Sequence, residues 1–231
     1  MTDIADHIDS VHRELGTKRI PAGEAHVVSL LRTFDAPITD VWDALTSAER
    51  ISHWFLPVTG DLKTGGTYQL EGNAGGRILL CKAPNRLKLT WAFGENITKK
   101  DISEVEVELS ESDGGTVLTL EHAAAVDPVM WDQFGPGAVG VGWDAALFAL
   151  AEYLRGHELD AVAWQESPES RELSTLSSRA WGEAYRAAGA EDATVTAVVE
   201  ATTKFYIGEL IVDGSWRVTD VCSGNLTLTG R

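Results

Sequence analysis

Between Thr67 and Ala123 the chain repeats one pattern five times, a run of alternating apolar and polar residues closed by a turn-forming cluster. The runs are TYQLEG, GRILLCKA, RLKLTWAFG, ISEVEVELS and TVLTLEHA, and NAGG, PN, GENITKK and ESDGG separate them. A period of two sends successive side chains to opposite faces of a strand, and spacers this short suit hairpins, so the pattern predicts an antiparallel meander. With HVVSLLRTF at 26–34 the sheet has about six strands. Its apolar face needs a cover. The stretch AVGVGWDAALFALAEYLRG (138–156) supplies one, with Val139, Trp143, Ala146, Leu147, Leu150 and Leu154 on one helical stripe and Gly156 placed to stop it. At about 1.5 Å per residue this helix can cross the whole sheet.

A helical hairpin precedes the meander. Pro37 suits a first helical turn, and Ile38, Val41, Trp42 and Leu45 keep the spacing of a buried helix face. Thr46 or Ser47 can cap a second short helix, about 48–54, whose Ile51 and Trp54 look the same way. At the amino end Ile4, Ile8, Val11 and Leu15 give a short helical pattern ending near Gly16, read as a mobile leader over 1–25. The domain proper spans 26–156. After it QESPESREL (165–173) reads as linker, and two helical patterns, 174–189 and 191–207, form an extension (157–207) too short to stand alone, which must dock on the domain or mediate self-association as a homodimer. Residues 208–231 read as two short strands, either an edge hairpin or material foreign to the fold.

Charge narrows the partners. Acidic residues outnumber basic ones 35 to 19, a formal charge of -16, with no basic cluster to follow a phosphate backbone, so nucleic acid is not an expected partner. No apolar run approaches the roughly 18 residues of a membrane span, and MTDIADHIDSVHREL is too acidic for a signal peptide, which gives a cytoplasmic expectation. The only thiols, Cys81 and Cys222, imply no disulfide framework, and Cys81 reads as a small core residue. There is no GxSxG, HExxH, CxxC or phosphate-binding glycine pattern, and His7, His12, His26, His53 and His157 lack ligand spacing; neither a metal nor a cofactor is expected.

Strand parity selects the candidate site. Leu87, Leu89, Trp91 and Phe93 share one face, as do Val105, Val107 and Leu109, while Glu104, Glu106 and Glu108 face out. Leu118 and Leu120 share the inward face with His122, and Tyr68 points in with Leu70. An inward His122 can act as a general base, with Tyr68 as a second acid–base group, or be a buried imidazole bonded within the core. Asp127, Asp132 and Asp144 read mainly as surface charge, with a pairing to His122 as the alternative.

RTFDAPITDVWDALTSAERISHWF, DLKTGGTYQL, TVLTLEH and GVGWDAALFALAEYL, in that order, resemble the START-like (SRPBCC) superfamily, in particular the branch homologous to the activator of the ninety-kilodalton heat-shock protein's ATPase. The resemblance covers about 26–156, and SSRAWGEAYRAAG with ATTKFYIGE is similar to an extension of bacterial members. It implies an α+β helix-grip fold, a curved sheet wrapped on a long helix with a cavity between them. Trp54 and Phe55 would then sit at the cavity mouth with Met130, Trp131 and Phe134 of the loop PVMWDQFGPG, and Trp143 and Leu147 would line the interior. The superfamily includes lipid carriers, hormone receptors, cyclases, self-sacrificing resistance proteins and co-chaperones. The expectation is a protein that binds a hydrophobic or aromatic small molecule through Trp54, Phe55, Tyr68, Trp91, Phe93, His122, Trp131, Phe134, Trp143 and Leu147. A cavity enzyme using His122 and a stress-response adaptor with a chaperone partner are the alternatives.

Overall fold

The computed structural model describes residues 3–94 and 97–209. Helix α1 (Ile4–Asp9) leads into β1 (His12–Ile20) and β2 (Gly23–Phe34), followed by the helical hairpin α2 (Ile38–Thr46) and α3 (Ala48–Trp54). Then come β3 (Val58–Gly60), β4 (Thr67–Leu70), β5 (Gly75–Lys82), β6 (Arg86–Trp91), β7 (Ser103–Ser112) and β8 (Gly115–Ala124). Five helices close the described chain: α4 (Pro128–Phe134), α5 (Gly137–Leu154), α6 (Ala161–Gln165), α7 (Pro168–Ala187) and α8 (Asp192–Tyr206). All eight strands join one antiparallel sheet in the order β1-β2-β8-β7-β6-β5-β4-β3, and α5 lies against it, which is the helix-grip α+β architecture.

The two strands beyond the expected six are β1 and β3. In place of a leader, residues 12–20 pair with β2 along their whole length, from His12 opposite Leu31 to Ile20 opposite Gly23. The helical pattern of Ile4, Ile8, Val11 and Leu15 crosses a real boundary, since only the first two belong to α1; Val11 and Leu15 reach the sheet core. The segment 165–173 is likewise helical over most of its length. Ser167 caps α7, its Oγ accepting from Ser170 N at 3.1 Å, and Pro168 fills the first turn, where its missing N–H removes no bond. The tail read over 208–231 lies, from residue 210 on, outside the described residues. On the outer face of the sheet Lys88 pairs with Glu104 at 2.8 Å and Arg86 with Glu106, so the outward parity of the glutamates holds.

Helix α5 is buried on two adjoining faces. Its front, with Trp143, Ala146, Leu147 and Leu150, meets the sheet. Its back meets α1, β1 and α7, and there Gly140 is required, because a Cβ would lie 2.1 Å from Trp181 Cε2. That close approach brings Trp181 of α7 into the same hydrophobic core as the sheet.

Polar groups hold the back of α5. Asp144, placed at the surface by its charge alone, is fully buried. Arg13 of β1 clamps it with two bonds, Nη2 to Oδ1 at 2.8 Å and Nε to Oδ2 at 3.1 Å. Ser177 Oγ (2.5 Å) and Trp181 Nε1 (3.0 Å) of α7 donate to the same Oδ2. His7 Nε2 donates to the Asp144 carbonyl at 3.1 Å, which leaves Nδ1 to accept from Arg32, and Arg32 Nη1 also donates to Leu147 O at 3.0 Å. Burial and the neighbouring Arg32 lower the His7 pKa to about 3, so the ring is neutral; burial also lowers that of Arg32 to about 10. Glu152, about two helical turns beyond Asp144 and fully buried, accepts from His157 Nδ1 at 3.1 Å.

Candidate functional site

Between the inner face of β4–β8, the α2–α3 hairpin and the front of α5 lies a cavity of about 120 Å³. The sheet contributes Leu87 and Leu89 of β6, Val105 and Val107 of β7, and Leu118 and Leu120 of β8, an inward set produced by strand alternation. Trp91 and Trp143 meet at its inner end, ring centroids 5.3 Å apart. Trp54 and Phe55, 5.4 Å apart, come from the end of α3. Arg50 anchors that helix, donating to Tyr153 Oη of α5 at 3.0 Å and to Asp40 Oδ1 of α2 at 2.6 Å.

Most polar side-chain atoms of the wall are already bonded to protein, the Trp91 indole N–H and the Cys81 thiol excepted. Trp54 Nε1 donates to Ala44 O (3.0 Å), Thr46 Oγ1 to Trp42 O (2.8 Å), and Tyr68 Oη to Thr90 O (2.8 Å). Trp143 Nε1 donates to His122 Nδ1 at 3.0 Å, which puts the imidazole proton on Nε2. Nε2 in turn donates to Ser103 Oγ at 2.8 Å, and Ser103 Oγ donates to Trp91 O at 2.8 Å. This chain ties the Trp143 indole to the β6 backbone at Trp91. Burial lowers the His122 pKa to about 4 and raises that of Tyr68, so both are neutral near pH 7. Among the described residues no group of His, Cys, Asp and Glu could hold a metal ion.

Six of the residues selected from sequence, Trp54, Phe55, Tyr68, Trp91, Trp143 and Leu147, come together on the cavity wall. The others stand elsewhere. His122 lies behind Trp91 and Trp143 with both nitrogens occupied, the buried-imidazole alternative, and Asp144 pairs with Arg13 rather than with it. Phe93 follows the end of β6, where alternation no longer holds it inward; it is 42% exposed and meets only the edge of Trp91 among rings. The loop expected at the mouth is helix α4, started by Asp127 and Pro128, and it packs against α8 and α5 with none of its residues on the cavity wall. Trp131 stacks on His26 at 3.6 Å, and Phe134 is buried against Phe205 of α8.

Parity missed Cys81. From Ile78, strict alternation would turn Leu80 inward and Cys81 outward, but the β5–β6 register shifts between Ile78 and Leu80, and Cys81 faces the cavity instead. A bulge of this kind has no reliable residue signature. Burial raises the thiol pKa.

A curved antiparallel sheet gripping a long helix over an apolar cavity defines the helix-grip class of small-molecule-cavity proteins. Within it, the chain belongs to the family described as Activator of Hsp90 ATPase homolog 1-like protein, whose model matches residues 35–155. The crystal structure of CalU16 from Micromonospora echinospora is similar at 38% identity and a TM-score of 0.62, covering 76% of this chain and 98% of that one. Its solution NMR structure gives 36% identity and 0.62 over 77% and 96%. DynU16, from the dynemicin biosynthetic locus, is 22% identical with a TM-score of 0.50, covering 57% of this chain and 48% of that one, a likeness of fold alone. No functionally curated protein matches the sequence. Among the described residues no single helix is long and apolar enough to cross a membrane.

Proposed function

We propose that this protein binds an apolar small molecule in the cavity between the sheet and α5. The observation that carries this reading is a partly open space of about 120 Å³ walled by aliphatic and aromatic side chains. Apolar cavities near this size stay dry and accept small hydrocarbons, because the ligand supplies dispersion contacts that water does not. The bonded state of His122 and Tyr68 favours binding over acid–base chemistry, since neither offers a free proton acceptor oriented toward a substrate.

Burying one aromatic ring yields about 4–6 kcal/mol gross, at about 25 cal/mol per Å², before ordering costs. Affinities of roughly tens of micromolar to millimolar follow, which sets the concentrations to use. The probe is p-xylene, followed by saturation-transfer NMR and by its effect on Tm. Wild type should show saturable transfer and a raised Tm. Ala146→Leu, which fills the cavity from the front of α5, should keep the fold by circular dichroism and lose the transfer. Equal binding by the variant, or none by wild type, would remove the cavity as the site. Native mass spectrometry with denaturing extraction would identify any molecule the purified protein already carries.

A further inference from the structure

Resting on the reading of the cavity as a ligand site, we infer its ligand class: an uncharged, single-ring hydrocarbon-like molecule, with anionic and strongly polar ligands excluded. Three observations combine. First, four of the side-chain donors on the wall are committed, Trp54, Thr46 and Tyr68 to backbone carbonyls and Trp143 to His122, which leaves the Trp91 indole N–H and the Cys81 thiol. A carboxylate, carbonyl or hydroxyl entering the cavity would exchange several bonds to water for at most one from the Trp91 indole, a net loss that falls on the ligand. A thiol is only a weak donor and does not offset it.

Second, no Lys, Arg or His lines the cavity. The cations nearest its elements are spent elsewhere: Arg50 on Asp40, Asp43 and Tyr153, and Arg32, behind α5, on His7 and the Leu147 carbonyl. A fatty-acid or aryl carboxylate therefore meets no counter-charge, and burying an unpaired anion in such surroundings is strongly unfavourable.

Third, size and shape select. A void of about 120 Å³ is below the usual range of drug-sized sites and close to that of apolar cavities that hold one ring. It cannot grow easily. The Trp143 indole is tied through His122 and Ser103 to the Trp91 backbone, and Arg50 ties the α3 side to both α2 and α5. Trp91, Trp143, Phe55 and Tyr68 present aromatic surface to a flat guest, whose ring edges and faces they can meet in offset or edge-on contacts.

The test compares four molecules with the full chain at pH 7 by saturation-transfer competition and titration calorimetry: p-xylene, p-cresol, p-toluate and 1,3,5-triisopropylbenzene. Replacing one methyl of p-xylene by hydroxyl should weaken binding several-fold, and by carboxylate at least about tenfold. The bulky hydrocarbon should not compete. Binding of p-toluate or p-cresol as tight as p-xylene would overturn the exclusion of polar ligands while leaving the cavity reading intact. Competition by the triisopropyl compound at similar affinity would overturn the size limit. Failure of all four to bind wild type would instead count against the cavity reading itself.

Discussion

The two sides of α5 are equally hidden from water and built on opposite principles. In front, aliphatic and aromatic side chains leave a void, and most of their few polar atoms are bonded to neighbouring protein groups. Behind, charged groups pack without a comparable space: Arg13 on Asp144, and His7 and Arg32 on the helix's own carbonyls. A void in a core normally invites collapse, since its walls gain contacts by moving in. The directional bonds behind α5 oppose that movement by fixing the helix at Asp144 and Leu147. The apolar side is therefore free to bind, and the polar side keeps it in register.

The strongest way to break this comparison is Asp144→Ala, which strands the Arg13 guanidinium in a site where it is 6% exposed. We expect a loss of about 3–5 kcal/mol in urea unfolding. A loss below about 1 kcal/mol would mean the back of the helix is not held as described.

Acid reaches both sides at once. His122 and His7 titrate near 4 and 3 in the folded chain against 6.5 unfolded, so between those values the unfolded chain binds more protons. Their contribution is complete above pH 6.5 and falls as pH drops, ending near pH 4 for His122 and near pH 3 for His7. His122 alone accounts for about 3 kcal/mol by pH 4. In unfolding curves from pH 7 to 3.5, His122→Gln and His7→Gln should each flatten the decline between pH 6.5 and 4, and only His7→Gln should flatten what remains below pH 4. Unchanged slopes in both variants would contradict the burial of neutral imidazoles.

Gly182→Ala in α7 addresses the packing behind the helix without touching charge. Its Cβ would come 2.4 Å from Val199 Cγ2, and overpacking of this kind costs about 1–3 kcal/mol, readable as a fall in Tm. The smallest effect sharpens the front side: Trp143→Phe keeps a ring but leaves His122 Nδ1 without its donor, about 1 kcal/mol in the same urea assay.

Much of this architecture is legible in the sequence because one face of each central strand is wet and the other dry. The runs of β4–β8 announce themselves by alternation, and α5 by its stripe. The edge strand β1 does not. HRELGTKRI is largely exposed along its length, so no dry face marks it, and Val11 and Leu15 complete a helical pattern with Ile4 and Ile8 by coincidence. The starts of α4 and α7 carried a signal, Asp127-Pro128 and Ser167-Pro168, each an N-cap followed by proline, although proline with polar neighbours also reads as a linker.

The sheet side of the cavity wall was accessible to parity, which turned Tyr68, Trp91 and the aliphatic residues of β6–β8 inward, whereas Trp54, Phe55, Trp143 and Leu147 came from the helical pattern and the resemblance. Parity says only that a side chain points inward. It does not say whether space lies beyond it, and so it grouped His122 with the wall. Asp144 was missed for a related reason. The stripe of Val139, Trp143, Ala146, Leu147, Leu150 and Leu154 accounts for one side of α5 and makes everything else look solvent-facing. The signal that corrects this is Gly140, Val141, Phe148 and Ala151 around the remaining circumference, since a helix apolar all round is covered on both sides.

The junction of Gly140 with Trp181 also bears on where a working copy of this protein can be cut. The residues matched by the family model stop at 155, yet the indole seated against α5 and the hydroxyl bonded to Asp144 arrive later, on α7. Shortened after Gly156, the chain would open its own central helix to solvent, and any loss of binding would report that wound rather than a missing partner. The portable unit for grafting, crystallising or recombining this cavity runs through Tyr206, with α7 carried along as part of its wall plug.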